Sequence, residues 1–240
     1  MSGSYKVIKV LFSDNGYEAS LCVAVNANGE YQKYLINTYS SFETIRELLP
    51  IFYDARMKRS GSFCGLQTAD GSVSAVFEYR GGESFTEFFR KDPALDLKDR
   101  LALADSLISG ALELYLFDSR IAGRVILPDN AVVDKVKMKI YFNFLINPGV
   151  SAAESFHYEN LGKMLCVIFP ENRLLPLEID KYISRLFQGE YAGCAAAYSD
   201  WREIQRTVED TFAKYQSETF FGRLLRNIKE RPLRKRKNKS

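Results

Sequence analysis

The sequence predicts an α+β fold in which a β-rich N-terminal part precedes a mainly helical C-terminal part. The first third contains β-prone segments that alternate with Asn-Gly and Asp-Gly dipeptides, a combination typical of antiparallel hairpins. The remainder carries apolar residues at helical spacing. With 240 residues, of which 46% are hydrophobic, the chain is long enough for one large or two small cores.

Five strands and one helix are predicted in the N-terminal part. Ser40 and Glu43 have the spacing of a capping box, which predicts a helix from there to about Lys58. The turns fall at Asn15-Gly16 and Asp70-Gly71. The predicted strands cover residues 5–12, 17–25, 30–38, 62–68 and 72–79.

Helices dominate the prediction for the C-terminal part. A glycine-containing linker follows Tyr79 and leads into a short helix. Asp96 is a suitable N-cap for a long helix that extends to about Phe117. Further helices are predicted over residues 158–169, 175–187 and 198–215. In the last of these, Trp201 belongs to an apolar stripe that we expect to be core.

The stretch between the long helix and the next one is the most informative part of the chain. It contains Arg124, a Pro128-Asp129-Asn130 turn, the apolar strand 131–133 and then the strand-like segment Lys139–Phe144. This order resembles the catalytic loop of protein kinases and the strand pair that follows it. The linker, the long helix and the helix around Gly162 have counterparts in the same order.

The resemblance implies a protein-kinase-like bilobal fold, in which a small antiparallel-sheet lobe with one helix precedes a shortened, mainly helical lobe. We expect the β-rich lobe at residues 1–79, the helical lobe at 80–222 and a basic, disordered tail at 223–240. The segment between Phe144 and the helix at 158 is short for a kinase activation loop. It leaves little room for a peptide-substrate platform.

The same comparison implies that the chemistry of phosphoryl transfer is lost. Val125 stands where a kinase has its proton-accepting aspartate, and Leu127 stands at the lysine two residues later. The metal-binding aspartate falls on Phe142 or Asn143, and the phosphate-binding lysine falls on Asn37. None of these side chains supplies a carboxylate to a metal or a positive charge to a phosphate. The resemblance is therefore to a pseudokinase, without cofactor or metal.

Two residues keep a nucleotide-binding or atypical transferase alternative open. Asn130 survives at a position that holds the second metal in kinases, although a plain turn also explains it. Lys33 lies on the same strand face as Asn37, and Glu43 or Glu47 of the following helix offers it a carboxylate. The glycine-rich phosphate loop is missing, because the first hairpin has only Gly16 beside Asp14.

Positive charge is concentrated at the C-terminus. Residues 223–240 contain nine Lys or Arg residues and one Glu, a net charge of +8 in a chain whose total is +3. Such a tail is suited to a solubilising role or to an anionic membrane surface, and nucleic acid is not favoured because the rest of the chain is net negative. The expected contact residues are Arg231, Arg234, Lys235, Arg236, Lys237 and Lys239.

The compact helical lobe and the basic end are similar to the cytoplasmic domain of the EssB/YukC family of type VII secretion membrane components. That likeness implies a scaffold that binds other proteins at the cytoplasmic face of a bacterial membrane, with a membrane helix encoded after Ser240. The chain itself has no apolar run of about 18 residues and no secretory signal. Four scattered cysteines predict buried thiols in a reducing compartment, and the single His157 is expected to be either structural or exposed. The oligomeric state stays open.

Overall fold

The N-terminal lobe is built on a five-stranded antiparallel sheet. The computed structural model describes residues 5–25, 28–54, 61–91, 93–150, 154–170 and 176–217. The strands are β1 (Lys6–Asp14), β2 (Tyr17–Val25), β3 (Tyr31–Tyr39), β4 (Phe63–Ala69) and β5 (Ser72–Glu78). They are ordered β1-β2-β3-β5-β4, so β1 and β4 are the edges. Helix α1 (Phe42–Tyr53) buries its apolar side against this sheet.

Both predicted turns are confirmed. Asn15 and Gly16 have φ angles of 32° and 86°, and Asp70 and Gly71 have φ angles of 49° and 77°. Two successive left-handed residues match the right-handed twist of the strands they join. The turns therefore fix the pairing of β1 with β2 and of β4 with β5.

Helix α1 begins one residue later than the capping box predicted. Ser41, not Ser40, is the N-cap, and its hydroxyl accepts from the Thr44 N–H at 3.5 Å. Ser40 is held at the end of β3, because its N–H donates to the Gly16 carbonyl at 2.8 Å. The helix ends at Tyr53, and residues 55–58 of the prediction lie outside the described residues.

The C-terminal lobe combines six helices of the described residues with a small sheet. The helices are α2 (Phe85–Arg90), α3 (Leu97–Phe117), α4 (Ser119–Val125), α5 (Glu154–Ile168), α6 (Leu177–Gln188) and α7 (Cys194–Ser217). The strands are β6 (Glu83–Ser84), β7 (Ala131–Asp134) and β8 (Lys139–Phe142), ordered β6-β7-β8. A 3-10 turn over Pro128–Asn130 leads into β7.

Helix α3 is the centre of this lobe. Its residues Leu103, Ala104 and Leu107 are fully buried, and it contacts α4, α5, α7 and β8. Trp201 of α7 is also fully buried, with its ring 5.4 Å from that of Tyr182. The core role predicted for the Trp201 stripe is therefore confirmed for its described residues, and one apolar core runs through both lobes.

Two expectations about single residue types are corrected or refined. All four cysteines are free, but only Cys22 and Cys194 are buried, so the expectation of four buried thiols is wrong. Cys64 is exposed because it lies on the edge strand β4, and Cys166 is exposed on the solvent side of α5. His157 is buried, with edge contacts to two tyrosine rings, as a structural residue would be.

Candidate functional site

The segment Asn143–Ile146, which follows β8, is hydrogen-bonded to the sheet of the N-terminal lobe in the region between the two lobes. Asn37 of β3 is completely buried and holds this segment from the sheet side. Its Nδ2 donates to the Phe144 carbonyl at 2.8 Å, and its Oδ1 accepts from the Ile146 N–H at 2.9 Å. The Tyr17 hydroxyl donates to the same Oδ1 at 2.8 Å. The neutral amide is thereby fully engaged in joining β3 to the segment.

A second tyrosine reinforces this junction. The Tyr39 hydroxyl donates to the Ile146 carbonyl at 3.0 Å, and its ring stacks on that of Tyr17 at 5.4 Å. Burial raises the pKa of both phenols above the ordinary value of 10. Both hydroxyls therefore remain protonated donors at physiological pH, which is the state that these hydrogen bonds require.

Aromatic rings fill the space beneath the sheet. The Phe144 ring stacks on Phe77 of β5, with centroids 4.7 Å apart and planes within 5° of parallel. Phe117 at the end of α3 lies 6.5 Å away on the side of the helical lobe. Phe77 is fully buried and Phe144 is 6% exposed. At this point side chains of the protein occupy the volume between the lobes.

Asn143 binds the linker that connects the two lobes. The Arg80 N–H donates to Asn143 Oδ1 at 2.8 Å, and Asn143 Nδ2 donates back to the Arg80 carbonyl at 3.1 Å. Asn143 is 6% exposed, and its own backbone N–H continues the β7–β8 pairing by donating to the Asn130 carbonyl at 2.8 Å. The polar backbone groups of linker residue 80 are thus satisfied from within the chain.

The Asn130 side chain holds the loop around Val125 through contacts with backbone carbonyls. Its Nδ2 lies 3.1 Å from the Arg124 carbonyl, 3.2 Å from the Val125 carbonyl and 3.3 Å from the Leu145 carbonyl. The side chain is buried, so this donor group is used to fix the backbone on both sides of the loop. Val125 is fully buried and Leu127 is half-buried, which places an apolar surface here.

Arg124 connects this loop to α1. Its guanidinium donates to Glu47 Oε1 at 2.9 Å, with the arginine side chain 6% exposed and the glutamate 39% exposed. The pairing suggested for Glu47 with Lys33 is therefore replaced by a pairing with Arg124. Lys33 lies exposed on β3, where its carbonyl accepts from the Tyr79 N–H at 3.0 Å.

Phe142 lies at the end of β8 and closes the floor of the cleft. It is 8% exposed, and a Cβ added at Gly110 of α3 would lie 3.3 Å from its ring. Gly110 therefore permits a close approach of α3 to β8. Among the described residues, no group of three or more His, Cys, Asp or Glu side chains is placed to hold a metal.

A cavity of about 250 Å³ lies beside the Phe144 ring. It lies between the linker, α3 and β8, next to the beginning of β4. Aromatic side chains line much of this cavity, and its charged lining residues are Arg80 and Glu113. The remaining lining residues are Gly61, Ser62, Gly110, Leu114, Phe117, Ile140, Tyr141, Phe142 and Phe144.

The sequence located the degenerate positions but not the contacts among them. Asn37, Val125, Asn130, Phe142 and Asn143 all lie at or beside the cleft, whereas Lys33 does not reach its interior. Tyr17, Tyr39, Phe77 and Arg80 were not singled out as site residues. For Tyr39 alone the sequence offered a signal. Side chains alternate between the two faces of a strand, so Tyr39 lies on the same face of β3 as Asn37.

Comparison with solved structures identifies the fold. This chain is similar to the protein kinase Rad53, residues 1–466, in a crystal structure with AMP-PNP, at a TM-score of 0.58 and 14% sequence identity. The match covers 83% of this chain and 65% of that chain, and many other solved chains also match. The chain therefore has a protein-kinase-like bilobal fold. No family model matches the sequence, and no curated protein matches it.

Two remaining expectations concern the membrane and the tail. In the part of the chain that the structure describes, no helix is both long and apolar enough to cross a bilayer. The six basic residues expected to contact a partner or membrane lie between 231 and 239, outside the described residues. Their role stays a prediction.

Proposed function

We propose that this chain is a catalytically inactive, pseudokinase-like domain that acts as a protein-interaction scaffold. The observation that carries the proposal is the packing of the segment Asn143–Ile146 against β3 and β5 in the region between the lobes. Asn37 holds this segment through two hydrogen bonds to its backbone, and Phe144 stacks on Phe77 within it. A nucleotide entering here would have to displace buried aromatic surface and break these bonds.

The chemistry of the lining residues supports the same conclusion. Phosphoryl transfer needs a group that orients the attacking hydroxyl, carboxylate ligands for magnesium and a cation on the phosphates. Val125 and Phe142 provide none of these, and the Asn37 amide is neutral and already bonded. Among the positions that contact phosphate, metal or substrate hydroxyl in the kinase pattern, Asn130 is the one that keeps its polar side chain, and its Nδ2 faces three carbonyls of the protein.

Nucleotide binding is tested by thermal unfolding of the full chain with increasing ATP and magnesium. A ligand that binds only the native state raises the melting temperature, and the rise continues with the logarithm of its concentration above the dissociation constant. We expect no shift up to millimolar nucleotide and no transfer of labelled phosphate to a generic protein substrate, with an active kinase as the positive control. A shift that grows with nucleotide concentration and is lost in Asn130→Leu would instead favour the nucleotide-binding alternative.

A scaffold at the cytoplasmic face of a bacterial membrane is the specific form of this proposal. It rests on the likeness to the EssB/YukC type of secretion component and on the net charge of +8 in residues 223–240. Each Lys or Arg near an anionic bilayer contributes about 1 kcal/mol of attraction. We expect the chain to sediment with vesicles that contain phosphatidylserine and not with neutral vesicles.

Deletion of residues 223–240 provides the matched control for that experiment. The shortened chain should lose vesicle binding and keep the melting temperature of the parent, because α7, the last helix of the described residues, ends at Ser217. Equal binding by both chains, or binding to neutral vesicles, would contradict a membrane-facing tail. Capture of duplex DNA in preference to vesicles would favour nucleic acid as the partner.

A further inference from the structure

Strand β1 is an exposed, apolar edge of the five-stranded sheet. It pairs with β2 on one side, and all nine of its residues are exposed. The strand contains no proline, and a long apolar edge of this kind offers unpaired backbone groups to another strand. Its large apolar side chains are between 37% and 54% exposed, namely Val7, Ile8, Val10, Leu11 and Phe12.

Two irregularities in the pairing with β2 decide which side chains share a face. The register shifts between Val7 and Lys9 and again between Val10 and Phe12, so Ile8 and Leu11 have no partner in β2. One face therefore carries the residues opposite Val23, Leu21, Ala19 and Tyr17, which are Lys6, Lys9, Phe12 and Asp14. The other face carries Val7, Val10 and Ser13.

We propose that β1 pairs antiparallel with β1 of a second copy of this chain, about a twofold axis at Val10. This register places Lys6 opposite Asp14 of the second copy, and it does so twice because the pairing is symmetric. It also places Val7 opposite Ser13 and Val10 opposite Val10, and in each of these pairs both residues share a face. Opposite charges across a strand pair are stabilising, so the edge is complementary to itself.

Two neighbouring registers lack this match. A shift by one residue that sets Lys6 opposite Ser13 pairs side chains from different faces, which a sheet does not allow. Centring the axis on Lys9 keeps the faces but sets two lysines directly opposite each other. Like charges in that position are destabilising. A register that sets Lys9 opposite Asp14 also keeps the faces and matches the charges, but it pairs only the part of the strand from Lys9 to Asp14. The register centred on Val10 pairs the strand from Lys6 to Asp14, and this self-complementary match favours a second copy as the occupant.

Sedimentation equilibrium of the full chain over a dilution series tests the dimer and its register. Lys6→Asp and Asp14→Lys should each weaken dimerisation by about tenfold, since each change sets like charges opposite one another at two symmetric sites. The double change Lys6→Asp/Asp14→Lys should restore the parent affinity. Lys98→Asp, on an exposed position of α3, is the control for a change of net charge and should leave the affinity unchanged.

Cross-linking provides a readout that does not depend on strand stability. Directly opposed residues of an antiparallel pair have Cα atoms about 4.5–5.5 Å apart, within the span of a disulfide. In a Cys64→Ser/Cys166→Ser background, which removes the exposed native thiols, Val10→Cys should oxidise to a covalent dimer. Val136→Cys is the control, because Val136 is 94% exposed in the β7–β8 turn.

The outcomes separate self-pairing from other occupants of the edge. A chain that stays monomeric at all concentrations, or a dimer that the charge reversals do not affect, would overturn the proposal. So would Val10→Cys cross-linking no faster than Val136→Cys. These results do not depend on the state of the cleft, so the scaffold proposal stands or fails separately.

Discussion

Asn143 and Arg80 exchange two hydrogen bonds, through which one buried side-chain amide satisfies both backbone groups of a linker residue. The Arg80 N–H donates at 2.8 Å, and its carbonyl accepts at 3.1 Å. Only a side chain with a donor and an acceptor side by side makes this pair, so asparagine fits where a carboxylate does not. The segment after β8 is thereby fixed to the linker between the lobes.

Changing Asn143→Asp should destabilise the protein. The aspartate keeps an acceptor for the Arg80 N–H but sets a carboxylate oxygen against the Arg80 carbonyl in a buried place. An unsatisfied buried polar group costs about 1–3 kcal/mol, and more when a charge is involved. Urea unfolding at pH 7 should show a lower midpoint with an unchanged slope.

Asn147→Asp is the matched control for that change. Asn147 Oδ1 accepts from the Gly149 N–H at 2.8 Å in an exposed turn, and an aspartate supplies the same acceptor. Its free energy of unfolding should stay within about 0.5 kcal/mol of the parent. Equal losses of unfolding free energy in the two variants would mean that the Nδ2 donor of Asn143 contributes nothing to stability.

Placing the lysine of the kinase pattern at position 37 should not produce ATP-dependent stabilisation. Asn37→Lys removes the acceptor of the Tyr17 hydroxyl and the Ile146 N–H, and it buries an ammonium group beside them. We expect a loss of about 3 kcal/mol or more in the free energy of unfolding. Lys33→Asn, at an exposed position of the same strand, should be nearly neutral. ATP-dependent stabilisation of Asn37→Lys would show that the cleft opens more easily than these contacts indicate.

Removing the Phe144 ring tests how far the filled cleft stabilises the fold. Phe144→Ala deletes the ring that stacks on Phe77, and such changes in cores cost about 3–5 kcal/mol. Phe42→Ala makes the same chemical change at a residue that is 75% exposed, and it should cost less than about 0.5 kcal/mol. A comparable thermal denaturation midpoint for the two variants would contradict the role assigned to Phe144.

The sheet was predictable from the sequence because its signals are local. Asn15-Gly16 and Asp70-Gly71 fix two hairpins by their own backbone preferences. Elements without a local signal were missed. The two-residue strand β6 is too short to show a pattern, and α4 contains Gly123 within a stretch expected to be a loop. Its start is fixed by the Asp118 carboxylate, which accepts from the Arg120 N–H at 2.9 Å.

The site was predictable in composition but not in its contacts. That Asn37, Val125 and Phe142 carry neither a carboxylate nor a positive charge follows from their side chains alone. That Asn37 binds the backbone at Phe144 and Ile146 does not, because the partners are more than a hundred residues away and are backbone groups. The sequence likewise offered Lys33 as one possible partner of Glu47, whereas the fold brings Arg124 to it.

Removing Glu47 alone from its ion pair with Arg124 should destabilise the protein at least as much as replacing both residues. Glu47→Ala leaves the Arg124 guanidinium buried, and we expect a loss of about 1–2 kcal/mol, reduced from the fully buried case because Glu47 is 39% exposed. Adding Arg124→Met removes the unpaired charge and keeps apolar volume. The double variant should therefore be no less stable than Glu47→Ala. Strictly additive losses in this cycle would argue against coupling.

Burial of Tyr17 and Tyr39 should make the fold sensitive to alkaline pH. Their pKa values in the folded chain lie above the ordinary value of 10, so the unfolded chain releases these protons first as pH rises. Their contribution to stability is thus complete below about pH 10 and is lost above it, by up to about 1.4 kcal/mol per pH unit for each group.

Tyr39→Phe should lower the free energy of unfolding at pH 7 by about 1 kcal/mol, because it removes the bond to the Ile146 carbonyl. The same variant should show a shallower decline between pH 9.5 and about pH 11, measured by urea unfolding, whereas Tyr31→Phe, which removes a hydroxyl from solvent, should follow the parent curve. An identical decline in Tyr39→Phe and the parent would show that the Tyr39 hydroxyl ionises as freely in the folded chain as in the unfolded one, and that its bond to the segment Asn143–Ile146 does not hold the cleft closed.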